Sequence, residues 1–278
     1  SMFQNMQIFE SRETNREGFS KDWIRLRLLK WAQSMTFRKS SGLICLSEFS
    51  KNYMLQFHSN LIRYTTIKLI PHGTEDFLSD ISEIRKNKKK EQKNLKILYV
   101  SSVKKYKHQW NLIDAVGELD REGFSVELNL LGERGNPQTN NLMFDAINRQ
   151  KSDKKFIYYH GNLPYKETLE WYKNADIFAF PSTCETFGLS LLEAMTAGLA
   201  IASSDHSAMP EILKDSGLYF NPESVTSIKN CLRYMIEKPD LIKSLGKKAK
   251  KYSKAYSWEK CADETFSFIR KIFDENKK

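Results

Sequence analysis

Cysteine is scarce in this sequence of 278 residues: Cys45, Cys184, Cys231 and Cys261 are scattered, with no C-x-x-C spacing. That favours reduced, buried thiols in a cytoplasmic protein over a disulfide frame or a zinc site. Histidine is also sparse. His58, His72, His108, His160 and His206 show no H-E-x-x-H or related ligand spacing, so no metal site is expected. No apolar run approaches the roughly 20 residues that cross a bilayer. No secretory signal pattern opens the chain, and Ser1-Met2 is compatible with a cloning scar. What is abundant is positive charge. The formal net charge is +10, which suits an anionic ligand, an anionic membrane face or nucleic acid. No helix-turn-helix, finger or aromatic-strand motif accompanies the charge, so a nucleic-acid partner is not expected.

Residues 95 to 236 alternate between short β-branched or aromatic runs and amphipathic stretches. The strand candidates are 95–102, 126–132, 155–161, 176–182, 199–204 and 217–221, with helical patterns such as 108–123 and 165–175 between them. That alternation predicts parallel βαβ units forming a complete doubly wound domain. The first 75 residues hold less: a basic helix from Phe19 to Lys39, a strand at 42–47, a helix at 48–57 and a strand at 66–73. Two or three units fall short of the usual plan of about six strands. The expected organisation is a partial N-terminal domain over 1–81, a basic linker over 82–94, a C-terminal domain over 95–255 and a final helical segment over 256–278 packing back on the N-terminal domain. A longer natural chain, with about a hundred further N-terminal residues, is expected to be the active form.

The chemistry concentrates in "CETFGLSLLEAM", residues 184–195, where Glu185 precedes a turn and Glu193 lies inside an apolar helix. The loop follows a parallel strand, where ligands of such sheets bind. The free amides of Phe187, Gly188 and Leu189 at the helix start form an anion site, and Gly188 permits close approach. Carboxylates do not ligate phosphate but accept hydrogen bonds from hydroxyls on either side of it. Two helical turns separate them by about 10 Å, comparable with the span of a nucleotide sugar. The competing reading is that Glu185 offsets the helix dipole and Glu193 is merely solvated.

The stretch from Phe178 to Leu213 resembles the retaining glycosyltransferases of family 4, which have the GT-B fold: an α/β pair of Rossmann-like domains. Two acids with seven residues between them are framed by Pro181-Ser182, Phe187-Gly188, Glu193-Ala194-Met195 and Pro210-Glu211, with "IPHG", "YKNADIF" and "SWEK" as further matches. The resemblance implies that Glu185 meets the donor sugar, that the amides of Phe187, Gly188 and Leu189 hold the diphosphate with Thr186 also on the donor-binding turn, and that Glu193 holds the ribose diol. It assigns Lys107 to the diphosphate, Gly132 to the nucleotide, and Asn162 and Leu163 to the base. Where the family has glycine and arginine after the first strand, this chain has Ser101 and Ser102, and Lys104 or Lys105 is the candidate substitute cation.

The implied activity is retaining transfer from a UDP or GDP sugar to a glycan or lipid-linked acceptor, in polysaccharide or lipopolysaccharide assembly, with Glu185 and Lys107 as the catalytic groups and no cofactor or metal. Alternatives are a donor-binding fragment without transfer activity and a sugar-nucleotide epimerase of the same fold. The basic helix carries Lys21, Arg25, Arg27, Lys30, Arg38 and Lys39 against one acid, Asp22, with Trp23, Leu26, Leu29 and Trp31 as apolar positions. It suits either an anionic membrane surface, on the inner face of the cytoplasmic membrane, or packing on its own sheet.

Overall fold

The computed structural model describes residues 1–58, 65–75, 78, 94–150 and 155–277. The expected linker over 82–94 lies outside the described residues except for Asn94. The chain begins with β1 (Met2–Phe3), α1 (Ser11–Asn15), α2 (Lys21–Lys39), β2 (Gly42–Cys45), α3 (Glu48–Phe57) and β3 (Thr66–Leu69). These strands form a parallel sheet of order β1-β2-β3. Local chemistry sets the helix starts. Ser20 accepts from the amide of Trp23 at 3.2 Å, so α2 begins at Lys21 and leaves Phe19 outside and exposed. Ser47 and Ser50 form a reciprocal capping box at the start of α3.

Alternation along β2 sends its side chains to opposite faces. On one face, Leu43 and Cys45 join Phe3, Phe9, Leu26, Phe37 and Met54 in a core covered by α2 and α3. On the other face, Ile44 and Ile70 pack with Cys261 and Phe268 of the last helix in the chain.

The second sheet is larger. β4 (Leu95–Val100), α4 (Gln109–Arg121), β5 (Val126–Leu131), α5 (Pro137–Arg149), β6 (Ile157–Gly161), α6 (Tyr165–Asn174) and β7 (Ile177–Phe180) follow in turn. Then come α7 (Leu189–Thr196), β8 (Ala200–Ser204), α8 (Met209–Leu213), β9 (Gly217–Phe220), α9 (Val225–Ile236), α10 (Pro239–Ser253) and α11 (Trp258–Glu275). The six strands are parallel in the order β6-β5-β4-β7-β8-β9. β5, β7 and β8 are buried at nearly every position because helices cover both faces, and β7 is apolar throughout. Chain direction across the sheet reverses between β4 and β7. The loops leaving these neighbours therefore diverge, and a crevice opens at their carboxyl ends.

The two sheets meet through the loops of that crevice. Ser47 Oγ donates to the carbonyl of Thr186 at 2.6 Å, and Thr186 Oγ1 donates to the carbonyl of Gln4 at 3.1 Å. The amides of Glu48 and Phe49 at the start of α3 donate to the two oxygens of Glu211, each at 2.9 Å.

Candidate active site

The loop after β4 tightens into a 3-10 turn at Lys105–Lys107, and the carbonyl of Tyr106 accepts from the amide of Thr183 at 2.9 Å. This ties the β4 loop to the β7 loop. His108 closes the turn in the left-handed region at φ 48°, a conformation uncommon outside glycine that asparagine, aspartate and histidine adopt most readily among the rest. Burial pushes its imidazole pKa down to about 4, with Arg16 acting in the same direction.

Lys107 and Glu185 meet at the crevice. Their ammonium and carboxylate form an ion pair, with both side chains largely buried. The ammonium also stands over the rings of Tyr106 and Phe180, at 5.2 and 5.4 Å from their centroids. Ser207, itself at φ 60°, pins the backbone of Glu185 from both sides. The Glu185 amide donates to Ser207 Oγ at 2.8 Å, and that hydroxyl donates to the Glu185 carbonyl at 2.6 Å.

The turn at 187–189 follows. Gly188 caps α7 at φ 89°, and a Cβ there would come within 2.8 Å of Met209. Phe187 is buried edge-on against His72 and Tyr256. Among the described residues the amides of Phe187, Gly188 and Leu189 donate to no protein group. One turn into α7, Glu193 is held by two tyrosines of α6. Tyr172 donates to Oε2 at 2.8 Å and Tyr165 to Oε1 at 3.3 Å. Burial raises the Glu193 pKa, the two phenol donors oppose that rise, and Glu75 adds to it.

Gly132 ends β5 at φ 137°, where a Cβ would fall 2.1 Å from the Ser101 carbonyl oxygen, so only glycine fits. Its amide donates to the Gly161 carbonyl at 2.8 Å, which sets the β6 loop carrying Asn162 and Leu163 beside it. Asn162 is exposed, and Leu163 is half-buried and packs against the main core. Ser102 lines a cavity of about 310 Å³ between the sheets, together with Lys104, Arg134 and, from α2, Asp22 and Arg25. Lys105 lines it too but is already paired there, with Glu17 of the same cavity at 3.2 Å, and donates to the Arg16 carbonyl at 2.7 Å. Of the two substitute cations, Lys104 is the exposed one.

Several groups at this site carry no signal that local sequence could offer. Tyr165 and Tyr172 reach Glu193 only because α6 and α7 stand side by side at the crevice. Glu13 of α1 accepts from Thr183 Oγ1 at 2.8 Å and pairs with Arg16 at 2.8 Å. Arg12 and Arg16 both pair with Glu223 after β9. Burial raises the Glu13 pKa despite the opposing contacts with Thr183 and Arg16. The expectation of wholly buried thiols also needs correction, since Cys231 is only half-buried, on α9. Among the described residues no group of three His, Cys, Asp or Glu side chains converges as a metal site would require. No described helix is long and apolar enough to cross a membrane.

Comparison with known proteins gives this geometry a lineage. The family model for glycosyl transferases group 1 matches residues 80–252. An uncharacterised glycosyltransferase of Methanocaldococcus jannaschii is 26% identical over 256 residues, covering 86% of this chain and 60% of that protein. The O-antigen chain mannosyltransferase B of Escherichia coli is 27% identical over 171 residues, covering 61% of this chain and 44% of that protein. The chain thus spans about half the length of these curated relatives. Among solved structures, Anabaena HepE in complex with UDP and glucose superposes with a TM-score of 0.76 at 20% identity, covering 97% of this chain and 71% of that one. The two parallel sheets and the crevice between them are the GT-B fold.

Proposed function

The chain belongs to the glycosyl transferases group 1, and from that premise we propose that it is a retaining, family-4 enzyme acting on a nucleotide-diphosphate sugar. One observation carries the reading: the Lys107–Glu185 pair, the unpartnered amides of Phe187 to Leu189 and the tyrosine-held Glu193 converge beyond β4 and β7. Glu193 takes the ribose diol, the amides and Lys107 take the diphosphate, and Glu185 takes the donor sugar. Thr186 fixes the turn, Gly132 leaves room for the nucleotide, Asn162 and Leu163 meet the base, and Ser102 stands beside the diphosphate with Lys104 nearby. Residues 95–255 are the donor side and 1–81 the acceptor side.

In transfer, the bond from the sugar C1 to the diphosphate oxygen breaks and its electron pair leaves with the diphosphate. The acceptor hydroxyl bonds to C1 on the same face, and its proton passes to an oxygen of the leaving group. Lys107 and the turn amides face the charge that grows on the diphosphate, and they act as preorganised electrostatic stabilisation. The nucleotide is UDP or GDP, no cofactor or metal is required, and UDP is favoured by the complex reported for the Anabaena neighbour. A glycan or lipid-linked acceptor in polysaccharide assembly is consistent with the O-antigen relative, and an anionic membrane surface, the inner face of the cytoplasmic membrane, is the second partner.

A second reading, nucleotide binding without turnover, is favoured by the acceptor-side sheet, which has three strands among the described residues. A thermal-shift panel of UDP, GDP, ADP and their sugar conjugates tests the proposal. Stabilisation should follow RT ln(1 + [L]/Kd) for one nucleotide and vanish in Glu193→Ala. If no nucleotide stabilises the wild type, the reading fails. Binding without sugar transfer to any acceptor in an extract would select the second reading.

A further inference from the structure

We infer that the cavity beside the β4 loop is the acceptor subsite, and that it takes a saccharide carrying a phosphate or carboxylate group. The acceptor role rests on the glycosyltransferase reading, whereas the binding of an acidic saccharide does not. The walls come from both sheets. α2 buries Leu26 and Phe37 in the core beneath it and exposes Ile24, Leu28 and Trp31 on its far side. Asp22, Arg25 and Leu26 follow the three- and four-residue spacing of a single helix face, and that face lines the cavity. Facing it are the loops after β4 and β5, at the carboxyl ends of neighbouring parallel strands, where such sheets bind ligands.

These walls are preformed. Gly135 lies so close to the β4 loop that a Cβ would fall 2.0 Å from the Val103 carbonyl oxygen, and the Val103 amide donates to the Glu133 carbonyl at 2.9 Å. Asn140 holds Gly135 with both atoms of its side-chain amide, each at 2.9 Å. Asn136 accepts from the Thr139 amide at 2.9 Å and donates to Asp22 at 3.1 Å, which ties the β5 loop to α2. A ligand therefore has little ordering of the site to offset.

Size and polarity set the class of ligand. At about 310 Å³ the cavity lies at the small end of ligand pockets and seats about one substituted sugar ring. Apart from Leu26 and Val103 its side chains are polar or charged, which suits hydroxyls and disfavours an acyl chain. Charge then selects an acid. Once the Lys105–Glu17 pair is set aside, Arg25, Lys104 and Arg134 face Asp22 and Glu133, and Asp22 is already engaged by Asn136. Arg25 approaches Asp22 only to 3.6 Å, beyond hydrogen-bond range. Arg134 is placed over the Phe144 ring, 5.4 Å from its centroid, and among the described residues neither it nor Lys104 forms an ion pair. A guanidinium fork matches the paired oxygens of a phosphate or carboxylate. The β4 loop also carries Lys107 to Glu185, so one loop serves both proposed ligands.

Calorimetric titration with glucose 6-phosphate, mannose 6-phosphate, glucuronate, galacturonate, glucose, mannose and inorganic phosphate, with and without saturating UDP, tests the inference. The phosphates and the uronates tell the two anions apart. At least one acidic sugar should bind alongside UDP, about tenfold or more tighter than a neutral sugar. Arg25→Gln/Arg134→Gln should weaken that sugar about tenfold or more and leave the neutral ones nearly unmoved. Arg27→Gln/Arg38→Gln, on the same helix but outside the cavity, should change neither. All four arginines are exposed, and unaltered melting and UDP affinity will show that fold and donor side persist. The inference is overturned if no acidic sugar binds, if acidic and neutral sugars bind equally, or if the Arg25/Arg134 variant binds like the wild type. Inorganic phosphate binding as tightly as the sugar phosphates would overturn it in favour of a bare anion site. Displacement of the sugar by UDP would overturn it in favour of the donor crevice. If no nucleotide binds but an acidic sugar still depends on Arg25 and Arg134, the glycosyltransferase reading and the acceptor role fall and the acidic-saccharide site stands.

Discussion

Lys107→Met and Glu185→Gln, made singly and together, separate what this ion pair does for the fold from what it does for a ligand. The two side chains are 11 and 16% exposed, so removing either charge strands its partner in a poorly solvated crevice. Breaking a fully buried pair costs about 3–5 kcal/mol, and discounting for the remaining solvent contact leaves roughly 2–3 kcal/mol. At about 2–4 °C per kcal/mol for a domain of this size, each single variant should melt about 4–12 °C below the wild type. Methionine keeps the stem of Lys107 over the Tyr106 and Phe180 rings, and glutamine keeps the shape of Glu185. The double variant therefore carries no stranded charge and should recover most of the loss. Its affinity for UDP should still fall, because the diphosphate has lost a cation worth about 1.5–3 kcal/mol, while UMP loses less. Melting curves and calorimetric titration with UDP and UMP measure both arms. If the two losses simply add in the double variant, the residues are not coupled. If UDP and UMP weaken equally, Lys107 is not a diphosphate ligand.

Two further outcomes follow from the titrating groups. Tyr172→Phe removes a donor that holds the Glu193 pKa down, so that pKa rises further; since ribose binding needs the carboxylate, the acid limb of nucleotide affinity should move up by about one pH unit. Titrations from pH 4.5 to 8 read this, and an unmoved limb would separate Glu193 from the ribose. His108 is depressed to about 4 from 6.5, so the unfolded chain takes up its proton first as pH falls. The stability it contributes is complete above pH 6.5 and is lost on descent to pH 4, by about 3 kcal/mol over the window. His108→Asn, which suits the left-handed backbone, should flatten that part of the urea-midpoint profile, and an unchanged profile would place the acid sensitivity elsewhere.

The six-stranded fold was largely legible because short runs rich in apolar residues alternate with amphipathic stretches, and β4 to β9 were each expected within a few residues of where they lie. β1, at two residues, is too short to leave a periodic pattern. α1 is equally faint, five polar residues whose two buried members are Glu13 and Thr14. The helix at the site was readable from Gly188 and Gly198, both of which adopt positive φ. The dual character of α2 was not. Its inner and outer apolar residues interleave, and only the packing of Leu26 and Phe37 shows which side is which.

The site was legible by residue type but not by partner, and Glu211 shows the difference. It belongs to the same signature as Glu185 and Glu193, yet both its oxygens accept amides at the start of α3, where a carboxylate offsets the helix dipole. A carboxylate there holds the three-stranded sheet against the six-stranded one. Thr186 does similar work, with its carbonyl and hydroxyl bound to Ser47 and Gln4, 139 and 182 residues away. Thr183 is bound by Glu13 across 170 residues. Glu185 and the free amides thus sit between residues anchored in the other sheet. Each anchor contributes about 0.5–1.5 kcal/mol, more where a charge takes part, so widening the cleft must break several bonds together or carry the turn with it. The same short stretch carries the proposed donor groups and fastens the two sheets together, and only the first of these is visible in its own sequence.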